Sequence, residues 1–233
     1  MKHSFIFLMN KKKGFLDYLK RFWKYLWHDD SLGSYVLNFI FAFIFIKYLF
    51  FPTIGFLLNN DYPMVAIVSG SMEHKIVNHN VCDKNVVDTQ NKNLNFDEWW
   101  SLCGTYYEKI NITKADFKDF DYSGGLNIGD MMVLYGKDPK NIEVGEILVF
   151  IPQDRNFFVQ KGPVIHRVVD KWENENDGKF YFATKGDHNS EIFKDFENNI
   201  SSDNVIAVGV VRIPYMGYVK IMFTKLVSYV TGG

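Results

Sequence analysis

A mainly β protein, an antiparallel sandwich or open barrel behind an N-terminal transmembrane helix, is the fold this sequence predicts, and three observations carry it. Residues 33–58 are apolar almost throughout. After them, short β-branched and aromatic runs alternate with clusters of Gly, Pro, Asn and Asp, the pattern of strands cut by turns. No long helical period separates those runs, which disfavours an α/β sheet, whose parallel strands need helical crossovers.

The chain has 233 residues, 47% of them hydrophobic and 17% aromatic, enough for one sizeable soluble core once an anchor is subtracted. Its 26 basic and 27 acidic residues leave a formal charge of -1, and no basic stripe follows the N-terminal segment. Nucleic acid is therefore not an expected partner. No repeat or low-complexity tract is present.

Residues 1–32 read as a cytoplasmic basic and amphipathic segment. Lys11, Lys12, Lys13, Lys20, Arg21 and Lys24 precede the apolar stretch, and no cation follows it until Lys75. That asymmetry places the N-terminus in the cytoplasm. Within residues 15–27, Phe, Leu, Tyr and Trp recur among the cations at roughly helical spacing, as in an interfacial amphipathic helix. Residues 33–58 form the expected anchor. Roughly 25 helical residues reach about 37 Å against a hydrocarbon core of about 30 Å, which leaves slack for tilt or for a break at Pro52. Lys47 is the one charge in the stretch and is expected to snorkel toward the outer headgroups, and Asn38 is the most polar interior side chain. A removable leader fits poorly, because the basic prelude is long and no small-x-small site closes the apolar run.

An extracytoplasmic domain is expected over residues 59–214, with strands at 64–68, 130–134, 146–150, 164–169, 179–183 and 205–212. Residues 74–125 turn polar and rich in Asn and Asp, and read as an insertion with a helical piece at 96–100. It contains both cysteines, Cys82 and Cys103. Outside the cytoplasm a bridge closing such a loop would add about 3 kcal/mol, but the spacing alone leaves a disulfide and two free thiols equally open. Neither the cysteines nor the scatter of His74 and His79 matches a metal-ligand pattern. Sequons at Asn111 and Asn199 hint at surface positions. Residues 215–233 mix apolar side chains with Lys220 and Lys225, an amphipathic or membrane-interface segment too short and too charged for a second span.

The chemistry concentrates in three short constellations. Ser69-Gly70-Ser71-Met72 ends an apolar run that begins about six residues beyond the anchor, so a candidate nucleophile sits just outside a bilayer. Ile165-His166-Arg167 and Lys185-Gly186-Asp187-His188-Asn189 follow. A serine hydroxyl is a poor nucleophile until a neighbouring base takes its proton, and a carboxylate is needed to orient that base. His166, with an ordinary pKa near 6.5, suits proton traffic at neutral pH. Arg167 cannot serve, being always protonated.

These marks, with Gly129-Asp130, Val144-Gly145-Glu146-Ile147-Leu148-Val149-Phe150 and Arg212-Ile213-Pro214, resemble type I signal peptidases of the archaeal and endoplasmic-reticulum kind. Members of that family are membrane serine peptidases that remove leader sequences from exported proteins. The resemblance covers most of residues 33–220 and implies Ser71 as nucleophile and His166 as base, in the position where bacterial relatives use lysine. It also implies one orienting aspartate at Asp187 and a second about six residues later, where this chain has Phe193. Asp195 fills that second role if the loop carries two extra residues, with Glu191 and Glu197 as outsiders. The Ser71 amide and the Ser69 hydroxyl are the implied oxyanion donors, although a turn-forming role for Ser69 is open as well. His74 departs from the family's usual proline.

An extended leader pairing with the edge of Met64, Val65, Ala66, Ile67 and Val68 would place alternate side chains in shallow apolar pockets, in keeping with the family's preference for small residues at the first and third positions before the cut. The expected partners are the signal peptides of secretory preproteins, the lipid bilayer and the export machinery. No cofactor is implied. The expected location is the cell membrane, or the endoplasmic-reticulum membrane in a eukaryote. Two other readings remain: a Ser-Lys autoprotease, against which His166 and the anchor speak, and a membrane-tethered module without catalysis, which the departures at His74 and Phe193 keep open.

Overall fold

The computed structural model describes residues 14–87, 89–152 and 162–231. Lys11, Lys12 and Lys13 of the basic flank lie outside the described residues. The chain divides into two units, one running to Thr53 and one starting at Ile54.

In the first unit, α1 (Phe15–His28) is followed by α2 (Leu32–Phe45), capped by the Ser31 hydroxyl on the Ser34 amide. The two helices are tied by polar groups of α2 that lie in an otherwise apolar run. The Ser34 hydroxyl donates to the Tyr25 carbonyl at 2.7 Å, and the Asn38 amide donates to the Leu26 carbonyl. Ser34 and Asn38 thus satisfy carbonyls that the end of α1 leaves without intrahelical partners. A π-helical turn, Ile46–Phe50, leads into α3 (Phe51–Leu57). The helix therefore continues past Pro52, and the wide turn lies where a proline without an N–H leaves the ladder incomplete. The whole run Leu32–Leu57 is long and apolar enough to cross a membrane.

In the second unit the chain is mainly antiparallel β. A curled seven-stranded sheet has the order β1-β6-β11-β7-β8-β9-β10, and every neighbour in it is antiparallel. Its strands are β1 (Met64–Ala66), β6 (Met131–Tyr135), β7 (Ile147–Phe150), β8 (Val164–Asn174), β9 (Lys179–Lys185), β10 (Ile200–Ser201) and β11 (Val205–Ile213). β7 is buried at every residue because core packs on both its faces. Irregularities at Gly209/Val211 and Val168/Asp170 shift the register, and such bulges increase local bend and twist. The Leu58 carbonyl accepts from the Gly136 amide at 2.9 Å, and the Asn59 side chain donates to the Gly136 carbonyl at 2.9 Å. These bonds pin the segment leading into β1 to the far end of β6.

The stretch read as a polar insertion is a folded layer. It contains a small sheet, β2 (Lys75–Val77), β3 (Asn80–Val81), β4 (Lys84–Asn85) and β5 (Asn91–Asn93), followed by α4 (Phe96–Lys109) and α5 (Lys114–Asp119). Capping boxes begin both helices, Asn95 with Glu98 and Thr113 with Asp116. Trp99, Tyr107 and Phe117 are fully buried and pack with Trp100, Cys82 and Cys103 against Val169 and Ala183 of the large sheet. Cys82 and Cys103 are joined as a disulfide with Cα atoms 5.6 Å apart. The Asn and Asp content of this layer serves turns: Asn78, Asp83 and Asn111 adopt positive φ, which those residues tolerate better than most.

The C-terminal segment forms α6 (Gly217–Thr231), about 22 Å long and short of a bilayer core. Its Gly217 amide donates to the Gly129 carbonyl at 2.9 Å, and the Tyr218 ring fills the space that a Cβ on Gly129 would need. Gly129 also has φ of +88°, so glycine is required there twice over.

Candidate active site

Ser71 lies in the loop after β1, where the Glu73 amide donates to the Gly70 carbonyl at 3.0 Å and Met72 is buried beneath. His166 is on β8, paired with Leu148 of β7. Side chains alternate across a strand, so His166 and Arg167 leave β8 on opposite faces. His166 Nε2 is 2.9 Å from Ser71 Oγ. Its Nδ1 is hydrogen-bonded to Glu197 Oε1, and Glu197 is wholly buried. Glu197 Oε2 accepts from the Phe193 amide at 2.6 Å, which fixes the carboxylate plane. Hydroxyl, imidazole and carboxylate therefore stand in series, with the imidazole between the other two.

The carboxylate of this series differs from both sequence candidates. Asp187 faces the other side of β8, where its Oδ1 accepts from Arg167 Nε at 3.0 Å and from the Tyr107 hydroxyl at 3.0 Å. Its Oδ2 accepts from an Arg167 terminal nitrogen at 2.8 Å and lies 3.3 Å from His74 Nε2. Four contacts saturate it, and none is to His166. Asp195 is exposed and does not touch the ring. Glu197 was an outsider because it stands ten positions after Asp187, four beyond the expected site. The extra residues are taken up by a turn in which the Glu197 amide donates to the Phe193 carbonyl at 2.8 Å, and the Phe193 and Phe196 rings stack at 5.4 Å. Phe193, the departure from the pattern, thus presents the acid through its amide. The only sequence signal was a longer acidic side chain at a longer spacing.

Burial alone would raise the Asp187 carboxyl, but the Arg167 guanidinium and His74 hold it well below the ordinary carboxylate range. Because the folded pKa is depressed, this stabilisation is complete above the ordinary carboxylate pKa and is lost as pH falls below it. Arg167 also donates to the carbonyls of Asp121, Tyr122 and Gly145, so one buried guanidinium joins the insertion to β8. Arg167→Met should destabilise the full chain by about 3–5 kcal/mol, since it leaves a buried carboxylate without its cation. Denaturant unfolding in detergent measures this, and a loss below about 1 kcal/mol would refute the role.

His74, the departure from proline, is also structural. Its ring stacks on Trp99 with centroids 3.8 Å apart, and burial pushes its pKa down. Ser69 Oγ is 3.3 Å from Ser71 Oγ, near enough to share an oxygen that develops charge there. The His188 amide donates to the Ser71 carbonyl at 2.8 Å, tying the Asp187 loop to the nucleophile's loop.

Met64, Val65 and Ala66 form β1, an edge strand whose one neighbour among the described residues is β6. Bonds from the Ile67 amide to the Asp130 carbonyl, the Gly129 amide to the Ile67 carbonyl and the Leu134 amide to the Pro63 carbonyl, all 2.9 Å, commit alternate peptide groups to β6. Those of Met64, Ala66 and Val68 point away from it. Among the described residues no cluster of His, Cys, Asp and Glu could hold a metal ion.

An antiparallel frame carrying a serine, a histidine and a buried carboxylate in hydrogen-bonded series defines a serine peptidase. No protein-family model matches the chain. It is 27% identical over 183 residues to the signal peptidase complex catalytic subunit of Schizosaccharomyces pombe, covering 76% of this chain and 75% of that protein. It is 30% identical over 102 residues to the subunit of the same name from Colletotrichum graminicola, covering 42% of this chain and 55% of that one. For Scheffersomyces stipitis the identity is 31% over 110 residues, covering 45% and 61%. The match thus spans three quarters of the first relative and little more than half of the others. The chain is thus similar to signal peptidase complex catalytic subunits, over three quarters of its length in the first case.

Proposed function

We propose that this chain is a membrane-anchored serine endopeptidase that removes N-terminal signal peptides from secretory preproteins, cutting after small residues. The observation that carries the reading is the Ser71–His166–Glu197 series, its serine in the loop that follows the edge strand β1. His166 Nε2 takes the Ser71 proton as Oγ attacks the scissile carbonyl, and Glu197 holds the Nδ1 proton and stabilises the imidazolium that forms. The same proton then goes to the leaving amine, and water, activated by His166, releases the acyl group. The Ser71 amide and the Ser69 hydroxyl are the donors assigned to the oxyanion.

The leader enters as an added strand along Met64, Ala66 and Val68, whose outward peptide groups fit that pairing. The basic flank before Leu32 favours a cytoplasmic N-terminus, with the β unit on the opposite side of the membrane across which leaders emerge. The relatives' names place those proteins in a signal peptidase complex, and association with such a complex and with the export machinery is proposed here too. A Ser-Lys mechanism fits less well, because the hydrogen-bond partner of Ser71 Oγ is an imidazole and Lys185 Nζ is engaged elsewhere.

The test uses the full chain in lipid vesicles with a preprotein whose leader ends in Ala-x-Ala, and sequences the N-terminus of the product. Cleavage after the last Ala, lost when that residue is changed to Phe, is the expected result. No cleavage, or cleavage of the enzyme's own chain alone, would overturn the reading.

A further inference from the structure

Lys185 is a buried ammonium that the proton relay does not use. Its side chain is fully enclosed, and among the described residues no carboxylate forms an ion pair with it. Nζ instead donates to the Gly186 carbonyl at 3.0 Å and to the Tyr107 hydroxyl at 3.4 Å. The rings of Tyr106 and Tyr107 face it at 5.4 and 4.6 Å, so α4 of the insertion supplies aromatic walls for the cation. Gly186, the next residue, lies against the reacting groups. A Cβ there would stand 2.8 Å from the Ser71 carbonyl oxygen and 2.9 Å from His166 Nε2. The peptide that Lys185 anchors is therefore the floor on which serine and imidazole rest.

We propose that Lys185 is a positioning residue for the Ser71–His166 pair: its ammonium, walled by Tyr106 and Tyr107, fixes the Gly186 peptide and couples the folded insertion to turnover. The inference rests on the peptidase reading above. Burial lowers the pKa of the Lys185 ammonium to about 8, against the opposing pull of Asp187 and Glu197 and with Arg167 adding to the reduction. The other groups facing it are the phenols of α4. Burial raises both, Tyr107 well above the ordinary phenol value, so neither ionises where Lys185 does. Arg167 keeps its proton throughout, and Asp187 stays ionised. Loss of the Lys185 proton replaces a charge-assisted bond to Gly186 with a neutral one of about half its strength. Turnover is then expected to fall as pH rises through about 8, with substrate affinity little changed.

The experiment measures kcat and KM for preprotein cleavage by the full chain in vesicles, from about pH 6.5 to about pH 9.5, for wild type, Lys185→Met and Lys185→Arg. Wild type should show an alkaline fall in kcat near pH 8 at constant KM. Lys185→Met should lose about tenfold in kcat at neutral pH and lack that fall, the size expected for a sub-ångström misplacement. Lys185→Arg, which keeps its charge, should hold its kcat through the alkaline range. A Met variant with wild-type kcat and an unchanged alkaline limb would overturn the proposal, as would a loss confined to KM. Should thermal melting show that neither variant folds, the wild-type profile decides alone, and a flat kcat across the alkaline range refutes the role. Absence of wild-type cleavage sinks the peptidase reading and this inference with it, whereas normal cleavage indifferent to Lys185 sinks this inference only.

Discussion

Ser71→Ala and His166→Ala should each lower kcat for preprotein cleavage by about 10⁶-fold, and the double variant should lose little more. The reason for the equal losses is that the two groups act as one unit. Without the imidazole 2.9 Å from Oγ the hydroxyl has no acceptor for its proton, and without the hydroxyl the imidazole has nothing to activate. Single-turnover cleavage in vesicles measures both variants. The residual rate would come from the oxyanion donors and from leader binding, so KM should change little. Multiplicative losses in the double variant would mean that serine and histidine act independently, and would remove the basis of the mechanism.

Glu197→Gln should cost about 10⁴-fold in kcat, while Asp195→Asn should stay within about twofold of wild type. A glutamine at 197 retains size and can still touch Nδ1, but it brings no negative charge to the imidazolium and permits the wrong ring tautomer. Asp195 is exposed and carries neither duty. Asp187→Asn provides the sharper contrast. It should destabilise the chain by leaving Arg167 without its counter-charge, and its kcat at a temperature where it is folded should exceed that of Glu197→Gln by at least about tenfold. The reverse order would return the orienting role to Asp187.

Much of the fold was legible because its signals are local. Strand runs such as Ile147–Phe150 and Val205–Ile213 are continuous or alternating apolar stretches bounded by turn residues, and each was visible within a few residues of its true ends. The packing of residues 74–125 is less legible than their polarity. Their polar Asn and Asp residues outnumber a few large aromatics, yet Trp99, Tyr107 and Phe117 bury enough surface to hold a layer together. Helix α4 extends to Lys109 whereas the sequence pattern marks only residues 96–100 as helical, since Gly104 and the following tyrosines weaken the propensity. Gly104 is tolerated because the Trp100 ring occupies the space beside it.

The sequence by itself determined the antiparallel β class, an apolar helix long enough to cross a bilayer, and a serine, a histidine and acidic residues in the order that the resemblance to signal peptidases implies. Those properties depend on periodicity and residue type, which a single chain displays directly. Only the tertiary structure decided which acid meets the imidazole. Spacing along the chain favoured Asp187 and Asp195, but Arg167 lies across β8 from His166 and draws Asp187 to the insertion's side, while the Phe193 turn folds Glu197 back to Nδ1. A carboxylate goes to the cation or donor that neutralises it in a dry interior, and which partner is within reach is set by strand faces and loop folding rather than by separation in sequence.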